Sequence, residues 1–339
     1  MKFNILKDEY WWGGRVHDGV CMPFDAESVY KMDLREKTAN QSSPLFLSSK
    51  GRYIYGDEAF TISFDSGAIE TDGGRLYEGY KNLKGAYLAA KEAYFKFTGK
   101  IPDSTFFTKP QFNTWIALNH NQTQDGILKY AYEIKKLGFS GGIFMIDSCW
   151  ERYFGDLEFD GGRFDDPRGM IKTLHEMGFK VMLWVSPCVS PDSFTFRKIR
   201  YTDILLHDKD GEIAIRRWWD GYSAVLDLTC PEAEKYFEDK LNNLMEKYDV
   251  DGFKFDAGDF YFYRSDDKAY VPSSPQYQAQ CFSAFAEKYS LNELRVSWKN
   301  GGKALVMRLS DKMHTWDGYG LNMVIPNTLV CGLLGYPYC

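Results

Sequence analysis

The sequence predicts an α/β protein: a (β/α)8 barrel preceded by part of a β-sandwich. Two observations point to the barrel. From about residue 109, short apolar segments alternate with long amphipathic ones, the rhythm of a parallel sheet with crossover helices. Polar or aromatic residues then recur at the C-terminal ends of the strands, at Asp147, Trp184, Asp256 and Arg308, which is where barrels carry their sites. A doubly wound sheet shares that rhythm, but no glycine-rich phosphate loop opens the first helix.

In chain order, residues 1–108 are rich in Gly, Asp, Ser and aromatics. Short alternating runs such as "RYIYGDEA" and "FTISFDSG" read as strands joined by tight turns. The helical run "LKGAYLAAKEAYFKFTG" and a linker with two prolines, "KIPDSTFFTKPQ", close this part. Residues 109–339 form the second part. "NTWIAL", "GGIFMID", "KVMLWVSP", "DGFKFDAGD" and "ALVMRLS" read as strands. "GILKYAYEIKKLGF", "PRGMIKTLHEMGF" and "PEAEKYFEDKLNNLMEKYDV" read as helices. The endings "LGF", "MGF" and "VDGF" suggest a glycine stop before each strand.

The 339 residues are 44% hydrophobic and 17% aromatic, enough for a large core, and most of the aromatics are expected to fill it. A net charge of −6 without a basic run argues against nucleic acid or an anionic membrane as partner. The start, "MKFNILKDEYWWGG", holds no apolar stretch of leader or membrane-span length. Seven scattered cysteines with no C-x-x-C pair predict free thiols in a reducing, cytoplasmic compartment and no zinc site. "DVDGFKFDAGD" lacks the oxygen spacing of a calcium loop, so neither metal nor cofactor is called for. Oligomeric state is not legible.

The chemistry concentrates in "GFKFDAGD". In a strand, side chains two apart share a face, so Phe253 and Phe255 turn towards the helices while Lys254 and Asp256 turn towards the barrel axis. A buried Lys254–Asp256 salt bridge is the competing structural reading. Asp147 alone reads equally well as a cap or loop partner, and Asp227 better as a local hydrogen-bonding group before "TCPEAEKY". A second carboxylate, Asp317, follows Trp316 in "KMHTWDGYGLNMVIP". An apolar neighbour suits a general acid, although Asp-Gly is also a plain turn signal. Two carboxylates at one barrel mouth, among Trp and Arg, are what glycoside cleavage needs.

Several motifs in order carry a resemblance. They are "TWIALN", "IDSCWERYFGDLEFDGGRFDDPRGMIKTLHEMGFKVMLWVSP", "RRWWDGYSAVLDLTCPEA", "GFKFDAGD", "VMRLSDKMHTWDGYGL" and "IPNTLVCGLLGYPY". From Phe112 to Cys339 the chain resembles glycoside hydrolase family 31, most closely its branch with bacterial α-galactosidase-like members. Residues 1–108 resemble, more loosely, the end of that family's N-terminal β-sandwich. The resemblance implies a retaining α-glycosidase acting on an oligosaccharide or glycoside, with an α-galactoside or α-glucoside as substrate. It makes Asp256 the nucleophile and Asp317 the acid/base, with Asp311 in "RLSDK" as the alternative acid because the segment before the aspartate is shorter here. It makes Trp115, Asp147, Trp184, Trp219, Arg308 and Trp316 sugar contacts, Asp147 at the second strand and Arg308 at the fifth. Lys254 would donate to a sugar hydroxyl or to Asp256. Family members continue past "GYPY" into an eighth strand, so the barrel is expected to be incomplete at Cys339. A carbohydrate-binding or regulatory protein without turnover, or a glucan lyase or transglycosylase, remain the alternatives.

Overall fold

The structure, a computed structural model, describes residues 1–36, 40–317 and 320–339. It divides into two compact units. One comprises Ile101–Gly258 and Phe262–Leu294, the other Met1–Lys100, Asp259–Tyr261 and Arg295–Cys339.

The first of these is built on a parallel sheet. Its strands are β1 (Gln111–Asn113), β2 (Ile143–Ile146), β3 (Lys180–Val185), β4 (Gly252–Phe255) and β5 (Asn292–Leu294), hydrogen-bonded in that order. The crossovers carry helices α1 (Gln124–Lys136), α2 (Pro167–Glu176) and α3 (Pro231–Tyr248), and α4 (Pro275–Phe285) connects β4 to β5. Local chemistry fixes where the helices start. Thr123 and Asp166 cap α1 and α2 by accepting the backbone N–H three residues on, and Pro167, Pro231 and Pro275 occupy first-turn positions where a missing N–H costs nothing.

The glycine stops hold for α1 and α2, where Gly138 and Gly178 take positive φ. After α3 the left-handed residue is instead Asp249, at φ 66°. Gly252 serves packing: a Cβ there would lie 2.0 Å from the carbonyl oxygen of Leu291.

Two strand readings are corrected. "NTWIAL" is not a strand beyond Asn113. Asn113 Oδ1 accepts the backbone N–H of Trp115 at 2.7 Å, which turns the chain into the short helix Trp115–Leu118. β5 went unread because Asn292 and Glu293 are polar, although all three of its residues are buried. Arg308 follows the later strand Val306–Met307, so it does not end the fifth.

The alternation in β4 is as read. Phe255 packs edge-on against Phe282 and Phe285 of α4, Phe253 packs against Tyr289, and both phenylalanines are fully buried.

The other unit holds two sheets. One has the order Lys2–Asn4, Ala68–Thr71, Thr61–Asp65, Tyr30–Asp33, all antiparallel. In the second, Gln41–Ser48 pairs antiparallel with Trp11–Arg15 and Tyr53–Tyr55 and parallel with Ser297–Trp298, while Arg75–Tyr77 extends the sheet beyond Tyr53–Tyr55. Phe24, Phe46, Phe60 and Phe64 fill its core in tilted and stacked contacts.

Candidate active site

Register brings the inward residues of the parallel sheet to one level. Trp184 of β3 lies opposite Lys254 of β4, and Lys254 opposite Glu293 of β5. Asp147 follows Ile146, whose partner is Leu183, so it stands at the same height. Asp256, one residue past β4, extends the ladder by donating its N–H to Val185 O at 2.9 Å. Asp147, Trp184, Lys254, Asp256 and Glu293 are all buried.

Two contacts order this group. Trp184 Nε1 donates to Asp256 Oδ2 at 2.8 Å, and Lys254 Nζ donates to Asp147 Oδ2 at 2.6 Å. The lysine expected to reach a hydroxyl or Asp256 therefore forms its buried ion pair with Asp147. The same Asp147 oxygen accepts from Asn113 Nδ2 at 2.7 Å, and Oδ1 accepts the backbone N–H of Ser148 at 2.9 Å. Its backbone N–H is held by Thr114 Oγ1. A carboxylate with three donors is fixed in orientation, and its charge stays balanced while buried.

Beyond Asp256 the chain turns sharply. Ala257 takes φ 57°, and Gly258 takes φ 72° where a Cβ would meet the Phe282 ring at 2.4 Å. A non-glycine residue at positive φ is strained and persists only where its surroundings dictate it.

Trp184 is itself held from both sides. Trp150 Nε1 donates to its carbonyl at 2.8 Å, and Trp218 lies parallel to its ring, centroids 6.3 Å apart. Trp218 comes from a hairpin inserted after β3, in which Arg216–Trp218 pairs with Gly221–Val225 across a two-residue turn, Trp219–Asp220. Trp218 is buried against Trp184, while its neighbour Trp219 is 51% exposed. Trp115, half-buried, meets the His120 ring edge-on.

Asp227 keeps the local role read for it. It accepts from Thr229, Tyr270 and Gln278 and lies away from this group of contacts.

Arg308, Asp311, Trp316 and Asp317 belong to the other unit. Arg308 pairs with Asp311, and Arg295 NH1 lies 3.7 Å from the same carboxylate, whose side chain is exposed. Thr315 Oγ1 donates to Asp317 Oδ1 at 3.0 Å. Asp317 is exposed, and its neighbour Trp316 is 77% exposed. The apolar shelter expected from Trp316 is thus not formed on this exposed loop. Gly318 and Tyr319, the rest of the predicted Trp–Asp–Gly turn, lie outside the described residues.

Sequence reasoning passed over Asn113, Trp218, Asp220 and Glu293. The Asp-Gly signal in "WWDGY" marks a hairpin, but the turn falls one residue earlier, at Trp219–Asp220, so the signal alone does not place Trp218.

Glu151, in the loop after β2, is buried with Oε2 accepting the backbone N–H of Gly155 and Leu157. Burial pushes its carboxyl up to about 8. The folded state therefore keeps a proton that the unfolded chain has released, and stability falls as pH rises from the ordinary glutamate range to about 8, then levels off. Glu151→Gln, neutral at every pH, is expected to stabilise the fold by on the order of 3 kcal/mol at pH 7 and by little near pH 4. Thermal unfolding at both pH values checks this; equal shifts would disprove it.

Comparisons with known proteins give the family. The glycosyl hydrolases family 31 TIM-barrel domain matches residues 107–339. The chain belongs to that family.

It is 34% identical over 250 residues to the myogenesis-regulating glycosidase of Mus musculus, covering 72% of this chain and 35% of that protein. It is 27% identical over 233 residues to alpha-xylosidase XylQ of Lactiplantibacillus pentosus, covering 65% of this chain and 30% of that one. The chain thus spans about a third of the curated relatives it matches. In fold it is similar to a GH31 alpha-xylosidase from a soil metagenome complexed with xylose, with a TM-score of 0.79, 18% identity, and coverage of 99% of this chain and 51% of that one.

Proposed function

We propose that this chain supplies the glycone pocket and catalytic carboxylates of a retaining α-glycosidase acting on a terminal, non-reducing α-linked sugar. The observation that carries the reading is Asp256. It is buried at the C-terminal end of a parallel strand and aimed by the Trp184 indole, with the Lys254–Asp147 pair beside it. Asp256 attacks the anomeric carbon from the face opposite the leaving group and forms a covalent glycosyl ester. Asp317 protonates the departing oxygen, then takes a proton from the water that cleaves the ester. Asp147 and Lys254, locked together, present an acceptor and a donor to sugar hydroxyls. Trp115 and Trp219 offer ring faces to the sugar, and Arg308 and Trp316 complete the proposed set.

Among sugars, the motifs "RRWWDG" and "FKFDAGD" favour the α-galactoside over the α-glucoside. Rates on nitrophenyl α-galactoside, α-glucoside, α-xyloside and α-sulfoquinovoside test the reading. The galactoside is expected to show the highest kcat/KM, a preference for the glucoside or xyloside would reverse the assignment, and no turnover of any would remove the activity.

Lys254→Met tests whether the ammonium acts on the sugar. The expected loss is two or more orders of magnitude in kcat/KM, about 3 kcal/mol of transition-state stabilisation. Kinetics within a few-fold of wild type would reduce Lys254 to a structural partner of Asp147.

A further inference from the structure

The hairpin tip carries a carboxylate that the proposed mechanism does not use. The Asp220 side chain is 10% exposed, and its Oδ2 is buried with no hydrogen-bond donor among the described residues. Leaving a carboxylate oxygen desolvated and unpaired is costly, so such a group usually awaits a partner. Its neighbours show where that partner would sit. Oδ1 faces His120 Nε2 at 3.7 Å, too far for a hydrogen bond, and His120 packs on Trp115. Trp218, two residues before it, stacks over Trp184, the indole that holds Asp256. Burial raises the Asp220 carboxyl above its ordinary range, His120 and the Trp219 side chain beside it oppose that rise and the charge of Asp256 adds to it, which puts the two aspartates within electrostatic reach. Asp220 similarly acts on Cys149, two residues after Asp147.

We propose that Asp220 is a specificity residue of the glycone pocket, its Oδ2 accepting one hydroxyl of the sugar seated beside Asp256. This rests on the glycosidase reading above. A hydroxyl supplies the donor that the oxygen lacks, and a sugar without that hydroxyl leaves the oxygen stranded, the situation in which polar pockets discriminate best. Trp115 and Trp219 flank the tip and give the sugar ring its apolar contact.

The test pairs variants with substrates. Wild type, Asp220→Asn and Asp220→Ala are assayed on the best aryl α-glycoside of the panel and on its 2-, 3-, 4- and 6-deoxy analogues, after circular dichroism and thermal melts confirm folding. Asp220→Asn keeps the volume of the side chain should the alanine variant fold poorly. Asp220→Ala is expected to lose about a hundredfold in kcat/KM on the parent sugar and only a few-fold on the one deoxy analogue that lacks the contacted hydroxyl. A uniform loss across all analogues, or no loss, would overturn the proposal. So would rescue of Asp220→Ala by azide, which would make Asp220 a proton-transfer group.

Tryptophan fluorescence titration with the free sugar and its deoxy forms gives the same comparison without turnover. Selective loss of binding in an enzyme that hydrolyses nothing would keep the Asp220 contact and discard the activity. Turnover with a flat deoxy profile would do the reverse.

Discussion

Asp256→Asn is expected to fold as the wild type does and to lose turnover by on the order of 10⁴ or more, since a covalent mechanism has no detour around its nucleophile. The fold should survive because asparagine can still accept the Trp184 indole N–H and occupies the same volume. Removing the charge also relieves its repulsion of Asp220, named above as raising that carboxyl. The proposed nucleophile can be caught directly. A 5-fluoro glycosyl fluoride slows hydrolysis of the ester more than its formation, so the wild type should accumulate label on a peptide containing Asp256. Label on another carboxylate, Asp259 in particular, would sink the assignment. Asp259 already receives two hydrogen bonds from Arg295 Nε, at 3.1 and 2.9 Å, an arrangement that holds a carboxylate in place.

Asp317→Ala is the second large effect, and it depends on the leaving group. Natural disaccharides need the departing oxygen protonated, whereas an activated aryl oxygen departs unaided. The variant should therefore retain far more activity on aryl glycosides than on disaccharides, with a gap on the order of 10² or greater. Azide should restore turnover and give the α-glycosyl azide, because a small anion needs no base. The geometry required of such a pair is about 5–5.5 Å between carboxyls, close enough for a covalent intermediate. Asp311→Ala serves as the control. Its carboxylate is exposed and bound to Arg308, an arrangement typically worth less than about 1 kcal/mol, so its loss should leave the leaving-group dependence unchanged. If the azide pattern follows Asp311 instead, the roles of the two aspartates exchange. A first product of β configuration, seen by NMR, would exclude retention whichever residue is the acid.

What could be read from the chain without coordinates was what local periodicity determines. The two-residue period of "GFKFD" was enough to send Phe253 and Phe255 under α4 and Lys254 and Asp256 inward, because a strand cannot place them otherwise. The start of α2 at Pro167 was legible for a similar reason, since proline acts within one turn, whereas α1 starts at Gln124, two residues ahead of the run read as helical, because the Thr123 cap went unread. Pairing across strands was not legible. Which acid Lys254 would meet depends on the register of β2 against β3 and β4, which no stretch of ten residues contains. Two elements were missed through composition: β5, because its polar residues hide a buried strand, and the strand end at Asn113, because one side-chain hydrogen bond outweighs the apolar run behind it. The different settings of Trp218 and Trp219 were not legible either, because the turn at 219–220 that buries one and exposes the other depends on the pairing of the hairpin.

The left-handed backbone of Ala257 places a standing tension next to Asp256, the proposed nucleophile. Glycine there would be more comfortable by roughly 1 kcal/mol, and the residue that follows is already glycine. A methyl group kept in an unfavourable twist narrows the orientations open to the Asp256 backbone, so part of the molecule's stability is held back as aim. Lineages or laboratory selections that reward heat resistance alone should drift towards glycine at this position, and their enzymes should become sturdier and slower together.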